Sequence, residues 1–415
     1  MSGGHARTAL AALAHVPEPR RAELAAIARG GTILDHGLVL WFPGPASATG
    51  EDIAEFHVHG GRAVVAAVLD ALAALPGLRP AEPGEFARRA FLAGKLDLAQ
   101  AEALADLIAA DTEAQRAQAQ RQLQGGLSRR LDRWRDEILR AVAHVEAAID
   151  FADDEVPGAD VVADTTVRVT ALLPELRASL DGRGERLRDG VHAVILGAPN
   201  VGKSSLLNRL AQRDAAIVSA TAGTTRDVLE VHLDVGGYPV ILADTAGLRA
   251  TADEVEGEGV RRALDRAATA DIKIAMFDAG VWPARDAATA DLVDASALVV
   301  VSKCDLLPYP PAGTAAPHFL SARTGAGMDP FVAALGVAVA AVAGSAEPAL
   351  TRARHTAAVR ECIACLERFE QDAALSLELR AEELRLAARA IGRITGRVDV
   401  EDLLDVIFAE FCIGK

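Results

Sequence analysis

The eight residues Gly197-Ala198-Pro199-Asn200-Val201-Gly202-Lys203-Ser204 have the types and spacing G-x-x-x-x-G-K-S that cradle phosphate. Glycines let backbone N–H groups converge on phosphate oxygens with no Cβ in the way, and a helix beginning there adds its dipole. Both flanks fit. The apolar run Val191 to Leu196 predicts a strand before the loop, and Ser205-Leu206-Leu207-Asn208 predicts a helix after it. In that setting Lys203 neutralises the β/γ-phosphates, the Ser204 hydroxyl ligates Mg²⁺, and Asn200, Val201, Gly202 and Ser205 complete the cradle. A chance glycine-rich turn would not carry this spacing between these flanks.

The order of later motifs separates a guanine-nucleotide switch from the wider class of P-loop ATPases. The stretch Ser219-Ala220-Thr221-Ala222-Gly223-Thr224-Thr225 forms a polar loop in which Thr225 can join the Mg²⁺ ligands once a γ-phosphate is present. Asp244-Thr245-Ala246-Gly247 follows the apolar run Pro239 to Ala243: Asp244 can hold a water of the metal, and Gly247 can offer its N–H to the γ-phosphate. Ser302-Lys303-Cys304-Asp305 and Ser321-Ala322-Arg323 come last. The Asp305 carboxylate can accept two N–H bonds from guanine, and the Ala322 N–H can reach the guanine O6. Adenine would leave Asp305 unpaired and be rejected. Two positions depart from the usual pattern. Ser302 stands where such sites carry Asn, and a hydroxyl reaches less far than an amide, which predicts weaker affinity. Leu248 follows Gly247 where many GTPases place a water-orienting Gln, so another group must position the attacking water.

The rest of the chain must position these residues. Its 415 residues suffice for two to four domains. Hydrophobic content is 51%, leaning on alanine, with only 4% aromatic residues, a balance that suits Ala-rich helices. The longest apolar run, Phe331 to Ala343, is too short to span a bilayer and reads as the closing helix of the nucleotide-binding domain. With no convincing signal peptide, a cytoplasmic location and no membrane partner are expected. A net charge of −15 argues against non-specific nucleic-acid binding by the whole surface. The acidic string Asp150 to Glu155 reads as a solvated loop.

The predicted fold class is α/β plus α, in three parts. Residues 1–110 mix short apolar runs with turns and read as a small α/β domain. Helical periodicity fills 111–188 and resumes over 346–415, so an α/β module at 189–345 is inserted into a discontinuous helical domain. Cys362 and Cys365 form C-x-x-C within a helical run and have no second ligand pair nearby, which predicts core packing over redox or zinc chemistry. Glu55, His57 and His59 share one strand face and could hold a metal, although a strand end packed on the Gly60-Gly61 turn is the simpler reading. Taken alone, Cys412 reads as a packing residue and Glu256 as an exposed helix acid.

Along nearly its whole length the chain resembles the MnmE (TrmE) family of tRNA-modification GTPases. The residues that carry the resemblance are Trp41-Phe42-Pro43-Gly44-Pro45, Thr49-Gly50-Glu51-Asp52, Pro83-Gly84-Glu85-Phe86 with Arg89 to Leu92, Lys95 to Glu102, Gly223 to Asp227, Asp244 to Arg249 and Cys412-Ile413-Gly414-Lys415. The resemblance implies a folate-binding, dimer-forming N-terminal α/β domain, a split helical domain and an inserted Ras-like P-loop GTPase domain. It implies a homodimer that joins the FAD-dependent protein MnmG in a heterotetramer and, driven by GTP hydrolysis, installs a (carboxymethyl)aminomethyl group at C5 of the wobble uridine of certain tRNAs. The carbon then comes from 5,10-methylene-tetrahydrofolate and the nitrogen from glycine or ammonium.

The resemblance also assigns residues. A K⁺ ion held by Asn200, Thr224 and backbone groups of Ser219 and Thr221 replaces an arginine finger, and Glu256 becomes the acid that organises water. Glu55, Lys95 and Lys415 become folate contacts, and Cys412 a candidate thiol for carbon transfer. Family members begin with a strand and a glycine-rich turn that leads into an Arg, an apolar residue, Ser and Gly. Met1-Ser2-Gly3 aligns with the end of that stretch, so the true start is expected upstream, and the 415-residue form is expected to bind 5-formyl-tetrahydrofolate weakly. Two rival functions are a non-modifying GTPase switch, such as a ribosome-assembly factor, and a folate-binding scaffold whose GTP turnover has decayed. A folate-type N-terminal domain speaks against the first, and intact Lys203, Ser204, Thr225 and Glu256 against the second.

Overall fold

The computed structural model describes residues 1–150, 158–212, 230–244, 266–308, 317–344, 348–371, 376–398, 404, 407 and 408. The chain splits into two compact units, Met1–Ala105 with Gly392–Lys415, and Asp106–Ile391.

The first unit is built on a three-stranded antiparallel sheet, β1 (Glu23–Arg29), β2 (Thr32–Phe42) and β3 (Ile53–His57), in that order. Gly30 and Gly31, both at positive φ, make the two-residue turn that joins β1 to β2. Strand alternation sends Ala25, Ile27, Val39, Trp41 and Ala54 to one face, where they pack with Ala6, Leu10 and Leu13 of α1 (Ala6–Leu13) and Val68 and Ala71 of α2 (Arg62–Ala73). The opposite face is open: Leu24 is 72% exposed and Leu38 42%, and the two are register partners. Met1 to Gly3 run antiparallel beside β3, with the Met1 ammonium donating to the Ala54 carbonyl at 2.8 Å and Ser2 bridging to Ile53. A second small core joins α3 (Glu85–Leu92) and α4 (Leu98–Ala109) to the C-terminal residues, where Ala87, Leu98 and Ala101 meet Leu404, Ile407 and Phe408.

In the second unit, a helical part and an α/β module fold together. Helix α5 (Glu113–Leu123) opens with a capping box, in which Thr112 and Gln115 satisfy each other's backbone N–H groups. Along α6 (Gly126–Asp150) the buried residues Leu127, Leu131, Trp134, Ile138, Ala141, Val142 and Val145 recur every three or four positions, a single apolar stripe. That helix packs on α7 (Gly158–Ala178), which also contacts the helix Ala353–Gln371.

The α/β module holds a six-stranded sheet in the order β5-β6-β4-β7-β8-β9, comprising β4 (Val191–Gly197), β5 (Glu230–Val235), β6 (Tyr238–Asp244), β7 (Ile272–Asp278), β8 (Ala297–Ser302) and β9 (His318–Phe319). Only the edge strand β5 runs antiparallel to its neighbour. On one face lie α8 (Arg183–Asp189), α9 (Lys203–Ala211) and α10 (Met328–Ala343). Their Leu187, Leu206, Leu210, Phe331, Leu335 and Val339 form the core with Ile195, Leu242 and Ile274. Helix α10 is thus the closing helix expected from the apolar run. The chain enters and leaves the module at adjacent points: Arg188 donates to the Thr351 carbonyl at 2.9 Å, and Gln122 of α5 donates to the Ala349 carbonyl at 2.8 Å. Among the described residues no helix is long and apolar enough to cross a membrane. Cys362 and Cys365 are buried side by side in the helix Ala353–Gln371; burial raises both thiols, Cys365 to about 11.

Candidate nucleotide-binding site

After β4 the chain crosses to β5 and β6 on one side, then returns to β7 on the other. The carboxyl end of β4 is therefore the switch point at which open α/β sheets bind ligands. Because β6, β4, β7, β8 and β9 are parallel, their carboxyl ends share one edge, where Gly197, Asp244, Asp278, Ser302 and the Ser321 turn come together.

The predicted loop lies at this edge. A Cβ on Gly197 would stand 2.7 Å from the Met276 carbonyl oxygen and 2.8 Å from Val201 Cγ1, so only glycine lets β4 run out past β7. Gly202, at φ +107°, forms the N-cap of α9, and Asn200 is left-handed at φ +61°. Lys203 arches back over the loop, its Nζ donating to the carbonyls of Gly197 at 2.7 Å and Ala198 at 3.1 Å. Ser204 and Ser205 are exposed on the first turn of α9, with Val201 buried beneath them. The α9 N-terminus and the Lys203 ammonium thus lie together at the loop, with exposed serines on the first helical turn, an arrangement that suits a polyphosphate and its cation.

The second pair of motifs meets beside it. Ser302 is 3% exposed, and its Oγ lies 2.6 Å from the Val201 carbonyl and 3.1 Å from the Phe277 carbonyl. The short side chain therefore reaches both the loop and strand β7, contrary to the expectation of a deficient reach. Its limit is its single proton, which serves one carbonyl at a time. The buried Cys304 N–H donates to Leu320, which joins the two motifs through their backbones. Asp305 accepts the Arg323 guanidinium at 2.6 Å. The Ser321 hydroxyl first, and then Arg323, hold its carboxyl below the usual range, so it is a ready acceptor at neutral pH. Ala322 lies between those two partners in sequence. Lys303 is left-handed at φ +60°, and its Nζ donates to Asp278 at 2.7 Å. Asp278 escaped the sequence reading, although the signal was present: like Asp244, it is a carboxylate ending an apolar strand.

In the first unit Glu55 stands on the open sheet face, opposite Leu40 in register, with His57 Nε2 2.9 Å from its carboxylate. His59 turns instead to Asp35, at 2.9 Å, so the three residues do not converge. Among the described residues no cluster of three or more His, Cys, Asp or Glu is placed to hold a metal. Lys95 is exposed in the turn after α3, near Gly50. A network unread in the sequence ties these motifs: Glu85 accepts both guanidinium arms of Arg79 at 2.8 Å and Arg89 at 2.6 Å, while Arg89 also donates to Glu51 at 2.7 Å. Ser219, Ala220, Thr221, Ala222, Gly223, Thr224, Thr225, Thr245, Ala246, Gly247, Glu256, Cys412 and Lys415 lie outside the described residues, as does the side chain of Asp244.

A switch-point glycine loop joined to the strand-end segments Ser302–Asp305 and Ser321–Arg323 defines the class: the module is a P-loop GTPase domain. The family model described as GTP-binding protein TrmE N-terminus matches residues 1–95, and the MnmE helical domain model matches residues 98–412. The tRNA modification GTPase MnmE of Paramagnetospirillum magneticum is 58% identical over 425 residues, covering 100% of this chain and 95% of that protein. The MnmE of Parvibaculum lavamentivorans is 55% identical over 424 residues, again covering 100% and 95%. The mitochondrial 5-taurinomethyluridine-[tRNA] synthase subunit GTPB3 of Danio rerio is 47% identical over 431 residues, covering 96% and 86%. The chain belongs to the MnmE (TrmE) family.

Proposed function

We propose that this chain hydrolyses GTP to drive modification of tRNA at C5 of the wobble uridine, acting as a homodimer with an MnmG-type FAD protein. One observation carries the reading: the chain is more than half identical, over its full length, to tRNA modification GTPases, and its glycine loop and guanine motifs fold to one sheet edge. The match of residues 1–95 to a TrmE N-terminus counts against a ribosome-assembly switch.

The glycine cradle, with Lys203 above it, fits a nucleoside triphosphate. Lys203 and the α9 N-terminus stabilise charge that develops as the phosphoryl group transfers, Ser204 with Thr225 would hold Mg²⁺, and Asp305 with Ala322 reads guanine. Asn200, Thr224, Ser219 and Thr221 would hold K⁺, which supplies positive charge at that phosphoryl group, and Glu256 orients the water. On the open sheet face, the Glu55 carboxylate among exposed leucines suits a flat heteroaromatic ring with adjacent N–H donors. Glu55, Lys95 and Lys415 would accordingly hold the tetrahydrofolate carbon donor, with Cys412 nearby as a candidate thiol.

The test is mass spectrometry of wobble uridine in tRNA from a strain deleted for this gene. The modification should vanish, return with the wild-type gene and stay absent with Lys203→Ala. An unchanged nucleoside profile in the deletion strain would refute the reading.

A further inference from the structure

We propose that Asp278 is a positioning residue for guanine-nucleotide binding, acting through Lys303. The inference rests on the guanine-nucleotide reading above and assigns the set of a side chain that the motif alone leaves free. Asp278 is the last residue of β7 and the register partner of Ser302 on β8, and the Ala279 N–H donates to the Ser302 carbonyl at 3.0 Å. The two strand ends are thus locked together one residue before Lys303.

The two carboxylate oxygens of Asp278 do different work. Oδ1 accepts the Gly280 N–H at 2.9 Å and fixes the carboxylate to its own turn, and Oδ2 accepts Lys303 Nζ at 2.7 Å. Lys303 leaves the strand in a left-handed conformation, so it is fixed at its backbone and again at its ammonium. Between these anchors its methylene stem is a stiffened apolar edge beside Asp305, suited to pack along a flat base. An unpaired ammonium at this sheet edge would instead be drawn to the nearest phosphates. Asp278 holds that charge back, and it orders in advance a side chain whose rotamer entropy would otherwise be lost on binding.

Equilibrium titration of the full-length protein with fluorescent N-methylanthraniloyl-GDP, together with steady-state GTPase assays, tests this. Asp278→Asn keeps the shape and removes the charge. It should weaken GDP and GTP alike by about fivefold, the scale of a partly exposed ion pair. The loss should appear in KM, with kcat changed less than about twofold. Asp278→Glu, which restores the charge, should recover affinity. In a Lys303→Met background, Asp278→Asn should cost nothing further. An equal loss in both backgrounds, a loss confined to kcat, or no recovery with Glu would overturn the assignment. Asp305→Asn runs in parallel: if it alters base preference while Asp278→Asn has no effect, only this inference fails, and if neither acts, the guanine site itself is misplaced.

Discussion

Replacing Ser302 by Ala probes the joint between the glycine loop after β4 and the end of strand β8, the proposed phosphate and base sites. Ser302 is 3% exposed and its hydroxyl carries one proton, so a single hydrogen bond is lost, at a cost of about 1 kcal/mol. The Val201 carbonyl, its nearer partner at 2.6 Å, loses a donor in a buried setting, which raises the total to about 1–2 kcal/mol. Because Val201 belongs to the loop, that loss falls on phosphate binding, and the dissociation constant for fluorescent GDP should rise about five- to thirtyfold. Ser302→Asn offers two protons and can satisfy both carbonyls at once. It also forces extra heavy atoms into a closed site, where overpacking costs about 1–3 kcal/mol. The gain that an amide promises from sequence is thereby offset, and we expect Ser302→Asn to bind no tighter than the wild type. Titration of the three proteins decides the matter. Ser302→Ala binding within twofold of the wild type would refute the idea that this hydroxyl anchors the loop.

Three further outcomes are expected. Asp305→Asn should shift preference from GTP towards XTP, whose edge an amide complements; competition between the two nucleotides reads this directly. GTP hydrolysis should be much faster in K⁺ than in Na⁺ at equal ionic strength, with Asn200→Ala blunting the response and Glu256→Ala slowing turnover without loss of GTP affinity; equal rates in the two salts would remove the potassium site. Arg79, and then the Glu82 N–H and Arg89, depress Glu85 from 4.5 to about 2, so its contribution to stability is full above about pH 4.5 and fades as pH falls towards 2. That depression corresponds to at most about 3.5 kcal/mol. Solvent around Arg79, which is 59% exposed, leaves about 1–2 kcal/mol, so Glu85→Gln should lower the urea midpoint of the first unit at pH 7 and match the wild type near pH 2.

Much of the nucleotide-binding module was legible because its chemistry is local. A glycine loop must follow a strand and open a helix, so Gly197 to Ser204 announced β4 and α9 together, and the apolar run to Ala343 announced α10. The joining of Asp305 to Arg323, or of Ser302 to Val201, follows from parallel strands ending at one edge, and order along the chain hinted at it. Asp278 could be seen as a strand-end carboxylate, but its pairing could not, because its partner Lys303 is 25 positions away and each residue alone is an ordinary strand-end charge. The Glu51–Arg89–Glu85–Arg79 network escaped for the same reason: Glu51, Glu85 and Arg89 were noted as sequence signatures and Arg79 was not, and pairing across a fold leaves no spacing to read. Burial inverted one expectation. Ser302 looked too short on paper, and the close approach of Val201 and Phe277 makes it long enough.

The adjacency of Arg188 and Thr351 has a consequence for how the chain acquires its shape. The helices on either side of the module must find each other across an intervening stretch of about 160 residues, and closing a flexible loop of that length costs about 4–5 kcal/mol. A module that has already folded with its two ends side by side removes most of that search. The helical part then inherits short-range kinetics despite its long-range wiring, and biosynthesis has a natural order: the guest sequence matures first, and its host closes around it.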